Sequence, residues 1–281
     1  MRSLSFLENI VLFLADQIAV ESESVIKFSD LEKFRNKISI YGAKYIDLDL
    51  FVKRKELRDR KNLVGYIGSL VELKGVMELA KAIPLVLKER GDVKFLIVGD
   101  GPLSPKLREI LKMEEASGKV EFVGWIPHTE VPKYLNEMRL LVLPSYTEGL
   151  PGVVQEAMAC GTPVLATPVG AIPDLIKDGE TGFIMEDNSY KCIAKNIIRA
   201  LEHPRLNEIA LNARRLIERE YTYEVMVEKC RVALEKLVED NKRVRRVACM
   251  NILAKQNRNL PQIVKRKTPK NKQETTKLSY P

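Results

Sequence analysis

Short apolar runs alternate with amphipathic stretches along most of the chain, clearly so from residue 62 onward. The apolar runs are rich in Val, Ile and Leu and end at glycine or proline, which predicts strands. We place strands at 62–70, 93–102, 119–127, 139–146, 163–170 and 181–186. The intervening stretches follow a helical period, which predicts helices at 75–89, 104–116, 131–138, 151–160, around Pro173, and at 189–202, 206–219 and 222–240.

Apolar strands joined by helical crossovers predict an α/β fold, a doubly wound parallel sheet that is covered on both faces. Sheets of this kind bind their ligands at the carboxyl ends of the strands, where the loops collect. The glycine turns of this chain follow the predicted strands. We therefore expect its chemistry at that edge of the sheet.

The first residues carry a different signal. Residues 10–15 are apolar, but Glu8 and Asp16 lie close on either side and no small-residue cleavage site follows. The run is also shorter than the roughly 20 residues that a bilayer span requires. These features favour an amphipathic helix that leads into a strand. Taken alone, such a helix would leave its apolar side without a partner, so we expect Phe6, Leu12 and Phe13 to be exposed.

The pattern fails after about residue 241. Residues 241–281 hold twelve Lys or Arg and one Glu, a net charge of +11, so that residues 1–240 sum to −3. The overall charge of +8 therefore describes the tail, and no nucleic-acid partner is expected for the nearly neutral body. We expect a disordered basic tail. Its apolar stretch 247–254 suggests contact with an anionic membrane surface, and a solvated tail without a partner is the alternative.

Cysteine and histidine usage argues against disulfides and zinc. The four cysteines are scattered, without a C-x-x-C pair or a histidine at ligand spacing: Cys160, Cys192, Cys230 and Cys249. This usage is typical of a reducing cytosol, so we expect a cytoplasmic protein that is peripheral at the membrane if its tail binds there. We interpret His128 and His203 as ordinary surface or loop histidines.

The predicted helix 151–160 contains an unexpected acid. Of its ten residues only Gln155 and Glu156 are polar, so the helix should be buried nearly all round. A buried carboxylate is costly unless it accepts hydrogen bonds. Glu156 therefore either belongs to a structural network or receives hydroxyl donors from a ligand.

The loop before this helix has the features of an anion site. Gly149 and Pro151 predict a tight loop with backbone N–H groups at a helix N-terminus, where the helix dipole favours negative charge. Glu148 lies on the same loop. An acid beside a phosphate site is reasonable if it contacts a neutral, hydroxyl-rich group attached to that phosphate, and a sugar diphosphate has this shape.

A second loop has anion-binding residues as well. In "GSLVELKG" (68–75), Gly68 ends a strand and Lys74 begins the next helix. Glycine lets the backbone approach an anion closely, and lysine supplies a point charge. Alone, Lys74 could equally be a plain surface residue; together with the loop at 148–152 it favours a ligand site.

The segment "SYTEGLPGVVQEAMACGTPVLATPVGAIPDLIKDGETGFIME" (145–186) resembles the donor-binding domain of glycosyltransferase family 4, the retaining GT-B enzymes that use nucleotide sugars. Glu148 and Glu156 meet the E-x7-E spacing of that family. "GSLVELKG", "FLIVGDGP" and "EFVGWIP" match three further blocks in the family's order. The resemblance covers about 60–240, and "LADQIAVESES" and "YGAKYIDLDLF" look like the last helix, strand and linker of the family's first domain.

The resemblance implies a division of the chain and a role for each site residue. Residues 1–59 would be a remnant of the first GT-B domain with its linker, 60–240 a Rossmann-like nucleotide-sugar domain, and 241–281 the tail. Glu156 would accept from the ribose hydroxyls, while Glu148 and Lys74 would be catalytic, on the donor sugar and the departing diphosphate respectively. The remaining implied donor-binding residues are Gly68, Ser69, Gly101, Val123, Gly124, Trp125, Gly149, Leu150 and Gly152. No Asp-x-Asp motif lies near these loops, so neither a metal nor a cofactor is expected.

Two departures from the family qualify the activity. Ser69 stands where the family usually has arginine, so half of the positive clamp on the diphosphate is missing. Most of the first domain, with its histidine near the reacting carbon, is absent, and neither His128 nor His203 matches that histidine's place. The resemblance thus implies the donor-binding half of a retaining glycosyltransferase, which acts on a glycan or lipid-linked acceptor with a separate acceptor-binding chain, or with a second copy, docked on residues 4–16.

The alternatives are a non-catalytic nucleotide-sugar-binding module and the remnant of a truncated gene. A dinucleotide oxidoreductase is excluded because "VGDGPLSP" lacks the G-x-G-x-x-G pattern.

Overall fold

The computed structural model of the chain describes residues 6–40 and 44–239. Its strands are β1 (Ile18–Val20), β2 (Ile38–Ile40), β3 (Leu63–Ile67), β4 (Lys94–Val98), β5 (Val120–Gly124), β6 (Leu140–Leu143), β7 (Val164–Ala166) and β8 (Phe183–Ile184). Its helices are α1 (Phe6–Leu14), α2 (Glu23–Phe28), α3 (Val76–Glu89), α4 (Ser104–Ile110), α5 (Lys112–Ala116), α6 (Val131–Glu137), α7 (Gly152–Ala159), α8 (Ile172–Leu175), α9 (Tyr190–Leu201) and α10 (Leu206–Glu220), and residues 223–239 are helical as well. All six strands predicted from residue 62 onward are present, but they are shorter because the predicted ranges included turn residues.

The six later strands form one parallel sheet in the order β5-β4-β3-β6-β7-β8. The chain enters the sheet at its centre with β3, moves outward to β5, and returns to the other side of β3 with β6. This confirms the predicted doubly wound α/β fold. A crevice forms outside the carboxyl ends of strands at such a reversal, here between β3 and β6, and ligands of open α/β sheets bind there.

Helices cover the sheet so that its central strands are buried. Every residue of β6 and β7 is buried, α3 packs against α9, and α7 packs against α10. The prediction of one helix at 104–116 is wrong in detail, because α4 and α5 meet at Leu111. Leu111 is fully buried and its backbone (φ −100°, ψ 18°) lies outside the α-helical region, so the chain turns there to bring this side chain into the core.

The described residues before 41 form a small two-stranded sheet with an apolar cluster of its own. Strands β1 and β2 pair in parallel, and a second apolar cluster lies beside them, made of Ile18, Val20, Ile26, Leu31 and Phe34. The start of α2 contacts α8: the amide and hydroxyl of Ser24 donate to the carboxylate of Asp174 at 2.9 and 2.8 Å. Asp174 therefore caps α2 from outside that helix.

The linker that follows lies against the large sheet domain. The side chain of Asn136, on α6, accepts from the amide of Arg54 at 2.6 Å and donates to the carbonyl of Val52 at 2.9 Å. Nearer the start of the linker, the amide of Ile46 donates to the carbonyl of Tyr221 at 2.9 Å. Tyr221 directly follows α10. These bonds fix the linker's path past the sheet.

By contacts the chain divides into a compact unit up to Ala233 and a second unit from Leu234. The predicted domain boundary between residues 59 and 60 stays a prediction. The predicted tail at 241–281, with Cys249 and the stretch 247–254, lies outside the described residues. Among the helices of residues 6–40 and 44–239, none combines the length and hydropathy that a membrane crossing requires.

Helix α1 exposes most of its apolar surface. Phe6 and Phe13 are 79% and 71% exposed, as predicted, and no residue of α1 is buried. The expectation that Leu12 is exposed is wrong, because its side chain packs against the second apolar cluster. One side of α1 thus faces its own small core and the other faces solvent.

Candidate active site

The turns that follow the central strands meet at the carboxyl edge of the sheet. The amide of Gly68, after β3, donates to the carbonyl of Val98 at 3.0 Å, and the amide of Gly99 donates to the carbonyl of Gly124 at 2.8 Å. Gly101 approaches the β3 turn so closely that a Cβ there would lie 2.6 Å from the carbonyl oxygen of Leu70. The glycines at this edge let three loops pack backbone against backbone.

Lys74 and Glu148, the two predicted catalytic residues, form an ion pair. Lys74 ends a 3-10 turn (Glu72–Lys74), and Gly75 follows with a φ of 68°, the left-handed region that favours glycine. A Cβ on Gly75 would collide with the carbonyl of Pro144, so the turn lies directly against the end of β6. The Nζ atom of Lys74 lies 2.7 Å from Oε1 of Glu148, whose side chain is 7% exposed.

The loop that carries Glu148 is held from the other side by the turn after β7. The amide of Ala171 donates to the carbonyl of Gly149 at 2.8 Å. Gly170 has a φ of 58°, and a Cβ there would collide with the carbonyl of Glu148. The main chain of the loop is therefore fixed on both sides of the ion pair.

The start of α7 presents free backbone donors, as predicted. Within the described residues, the amides of Gly149, Leu150 and Gly152 donate to no backbone carbonyl. The side chain of Leu150 is buried in the core and anchors the loop, so only its main chain is available to a ligand. These amides lie at the positive end of an eight-residue helix, which is the geometry of an anion site.

Glu156 faces a cleft, which explains an acid in an apolar helix. Its Oε1 lies 3.0 Å from Nε2 of His128, and its side chain is 11% exposed. The His128 ring packs on Phe51 of the linker with ring centroids 5.3 Å apart. The interpretation of His128 as an ordinary loop histidine missed this pairing. Gln155, the neighbouring polar residue, is fully buried without a hydrogen-bond partner for its amide, and nothing in the structure explains it.

The cleft beside Glu156 has a volume of about 490 Å³. Its walls come from the linker, the loop after β5 and α7: Lys44, Tyr45, Ile46, Asp47, Leu50, Phe51, His128, Gly152, Val153 and Glu156. Sequence analysis predicted that this segment is a linker. It did not predict that the linker lines the cleft beside Glu156. A carboxylate oxygen of Glu21, which directly follows β1, also lies 2.8 Å from the position of a Cβ on Gly149. Segments before residue 60 therefore contribute side chains to this edge.

The other predicted donor-binding residues lie near the ends of strands or follow them at the same edge of the sheet. Ser69 is exposed, and its carbonyl accepts from the hydroxyl of Tyr66 at 2.8 Å. Burial raises the pKa of Tyr66, so this hydroxyl stays a donor. Val123 packs partly into the core, while Trp125 is 75% exposed. Their contact with a nucleobase stays a prediction.

Metal and thiol chemistry have little to build on in the described part of the chain. No group of three or more His, Cys, Asp or Glu residues in 6–40 and 44–239 is arranged to hold a metal ion. Among the described cysteines, Cys160, Cys192 and Cys230 form no disulfide, and burial raises the pKa of Cys160 to about 12. The expectation of a metal-free, cofactor-free site stays a prediction.

A comparison with known families decides the class of protein. The family "Glycosyl transferases group 1" matches residues 49–219, more than half of the chain. The chain belongs to this family. The resemblance noted in the sequence is thus confirmed at the level of a group 1 glycosyltransferase.

Curated relatives of the chain are longer than the chain itself. A capsular polysaccharide biosynthesis glycosyltransferase, CapM of Staphylococcus aureus, is 29% identical over 250 residues, which are 80% of this chain and 63% of the relative. Alpha-D-kanosaminyltransferase of Streptomyces kanamyceticus is 31% identical over 197 residues, 68% of this chain and 51% of the relative. The chain thus spans half to two thirds of the curated relatives it matches.

Solved glycosyltransferases share the fold of this group 1 protein. TarM of S. aureus, in a complex that includes UDP, superposes with a TM-score of 0.66 at 23% identity over 80% of this chain and 46% of that chain. HepE of Anabaena, with UDP and glucose, gives 0.67 at 20% identity over 82% and 65%. These matches identify the sheet domain as the Rossmann-like fold of GT-B glycosyltransferases.

Proposed function

We propose that this chain is the donor-binding half of a retaining family 4 glycosyltransferase that moves a sugar from a nucleotide sugar to a glycan or lipid-linked acceptor. The observation that carries the proposal is the part-buried Lys74–Glu148 pair beside the free amides at the start of α7, with Glu156 on the same helix facing the cleft. This arrangement offers an anion site next to two hydroxyl acceptors, which is what a sugar diphosphate joined to ribose requires. Capsular polysaccharide synthesis by a relative, and UDP in structures of the same fold, support it.

In this proposal each ligand group has its own position. The diphosphate lies at the N-terminus of α7 within reach of Lys74, the donor sugar lies at Glu148, and the ribose lies at Glu156 where His128 now pairs. The base lies along Val123–Gly124–Trp125. The ligand would thus extend from the crevice between β3 and β6 toward the side of the cleft that the linker lines.

The same residues can assist departure of the diphosphate. Glycosyl transfer passes through a cationic, oxocarbenium-like state while negative charge collects on the leaving group. Lys74 offsets that negative charge, and Glu148 is an acid whose charge opposes the positive charge on the sugar. In this step Lys74 would act on the diphosphate oxygen and Glu148 on the sugar, at opposite ends of the bond that breaks.

The acceptor would be held by a domain outside the described residues. The relatives are longer, and the two-stranded β1–β2 sheet with the exposed α1 is the kind of surface that a first GT-B domain completes. We propose that a separate acceptor-binding chain, or a second copy, docks there. A cytoplasmic location and membrane contact through the basic tail remain proposals that rest on the sequence. A non-catalytic nucleotide-sugar-binding module is the second candidate, because Ser69 leaves the anion site one cation short.

Calorimetry on nucleotides and matched variants tests the site. Thermal-shift screening of UDP, GDP, ADP and their nucleosides first identifies the base. Lys74→Ala should then weaken nucleoside diphosphate binding about tenfold or more and nucleoside binding little, because only the phosphates contact the ammonium. Glu156→Ala should weaken both, since both contain ribose. Lys81→Ala, which removes a surface lysine of α3, is the control. Equal losses for Lys74→Ala with and without phosphates would refute the assignment.

A further inference from the structure

Lys44, a linker residue, places its ammonium directly over the first turn of α7. A Cβ on Gly152 would collide with Nζ of Lys44 and lie 2.9 Å from its Cε, while Oε1 of Glu156 would be 3.4 Å away. The lysine thus reaches across the cleft to the point where the free amides of α7 begin. Glycine at 152 leaves the space that the lysine occupies.

Lys44 is exposed, and two charges act on its ammonium: the nearby carboxylate of Glu156 attracts it, and the dipole of α7 opposes it. The N-terminus of a helix carries the equivalent of about half a positive charge, so an ammonium there is repelled. Lys44 forms no ion pair with any residue in the described part of the chain, whereas Lys74 is neutralised by Glu148. A cation set against a helix N-terminus is stabilised when an anion lies between them. Residues held against a helix dipole in this way are typical of binding sites.

We infer that Lys44 binds the diphosphate of the donor and supplies the positive charge that Ser69 leaves out. The inference rests on the proposed function and adds a residue to its anion site. The two lysines would then hold the diphosphate from two directions, Lys74 from the β3 turn and Lys44 from the linker. Because Lys74 already has a partner, Lys44 contributes the larger share of the net attraction.

The test compares diphosphates with nucleosides in wild type and three variants. UDP, GDP and ADP are titrated by calorimetry alongside UMP, GMP, AMP and the three nucleosides. Lys44→Ala should lower diphosphate affinity about 10- to 100-fold, the usual effect of one charge-assisted contact, and leave nucleoside affinity within twofold. Lys61→Ala is the matched control, since Lys61 is an exposed linker lysine at the amino edge of the sheet. Adding Ser69→Arg to Lys44→Ala should restore most of the loss, because Ser69 is exposed at the carboxyl edge.

The outcomes separate this inference from the proposed function. If wild type binds a nucleoside diphosphate and Lys44→Ala keeps the same ratio of diphosphate to nucleoside affinity, the role of Lys44 is overturned and the donor site stands. If wild type binds none of the nucleotides, the proposed function fails and the inference falls with it. A loss confined to diphosphates, with no loss for Lys61→Ala, supports both.

Discussion

At the residue scale, Glu148 and Glu156 show how two similar acids are held differently. Glu148 is nearly buried and paired with Lys74, whereas Glu156 accepts from the largely exposed His128. A carboxylate left alone in a buried place loses solvation that it cannot recover. The two acids therefore depend on their partners to different degrees.

We expect Lys74→Ala to lower the free energy of unfolding by about 1–3 kcal/mol, because it leaves the Glu148 carboxylate without a partner. Adding Glu148→Gln should recover part of the loss, since a neutral amide is less costly to bury. Lys81→Ala should change less, because Lys81 is 48% exposed and the side chain of its partner Glu78 is 20% exposed, against 7% for Glu148. Urea denaturation at neutral pH measures all three, and a loss for Lys74→Ala no larger than for Lys81→Ala would contradict the expectation.

Sequence reasoning found the acids and Lys74 but missed Lys44 and His128. Glu148, Glu156 and Lys74 were visible because an acid in an apolar helix, or a lysine after a glycine turn, departs from its local pattern. His128 and Lys44 are polar residues in polar segments, so nothing local marks them. Their partners lie 28 or more positions away in the chain, and only the fold of the linker and of the loop after β5 brings them to α7.

At the element scale, Arg60 joins the end of the linker to two helices. It is 4% exposed, and burial lowers its pKa to about 10, so it remains charged at neutral pH. Its guanidinium donates to the carbonyls of Lys55, Leu135, Met138 and Cys160 and to the hydroxyl of Thr162. One side chain therefore fixes the end of α6 and the turn after α7 in relation to each other.

Arg60→Met should destabilise the fold by about 3 kcal/mol or more, because several buried oxygens lose their donor together. Arg60→Lys should recover little, since an ammonium cannot reach the same set of acceptors as the planar guanidinium. Thermal unfolding followed by circular dichroism gives both values. Arg58→Ala, at a position 76% exposed, serves as the comparison. Wild-type stability for Arg60→Lys would show that the fork geometry is unimportant.

The strands and most helices were predictable because hydrophobic period reports local structure directly. The sheet order was not, since the pairing of β3 with β6 joins segments about 75 residues apart. The break at Leu111 was also hidden, because an apolar residue within an amphipathic stretch fits a continuous helix equally well. Whether the chain forms one helix or two there depends on how Leu111 packs into the core, which the sequence does not report.

At the scale of the whole molecule, the exposed face of α1 is the feature least suited to a monomer. Its large apolar side chains in contact with solvent are Phe6, Leu7, Ile10, Val11, Phe13 and Leu14. Contiguous apolar surface of this kind marks an interaction site. The proposed sugar transfer would also require an acceptor held against the sugar carbon, and positioning of that kind is worth about 7–11 kcal/mol.

We therefore expect the isolated chain to bind donor, to transfer little sugar, and to associate through α1. Phe6→Ser with Phe13→Ser should reduce association in analytical ultracentrifugation, whereas Met113→Ser, an 82% exposed residue of α5, should not. A radiolabelled-donor assay on the monomer fraction measures transfer. Robust transfer to simple acceptors by that monomer would show that no second domain is needed.

The fixed path of the linker has a consequence for domain exchange among glycosyltransferases. Asn136 and Tyr221 hold residues 46–54 against the large sheet domain, so Lys44 and the cleft wall travel with it. The family match begins at residue 49, after Lys44. A chimaera joined at that point would inherit Glu148 and Glu156 but lose part of the wall that faces them. Grafts intended to carry donor preference into another enzyme should therefore begin before residue 44.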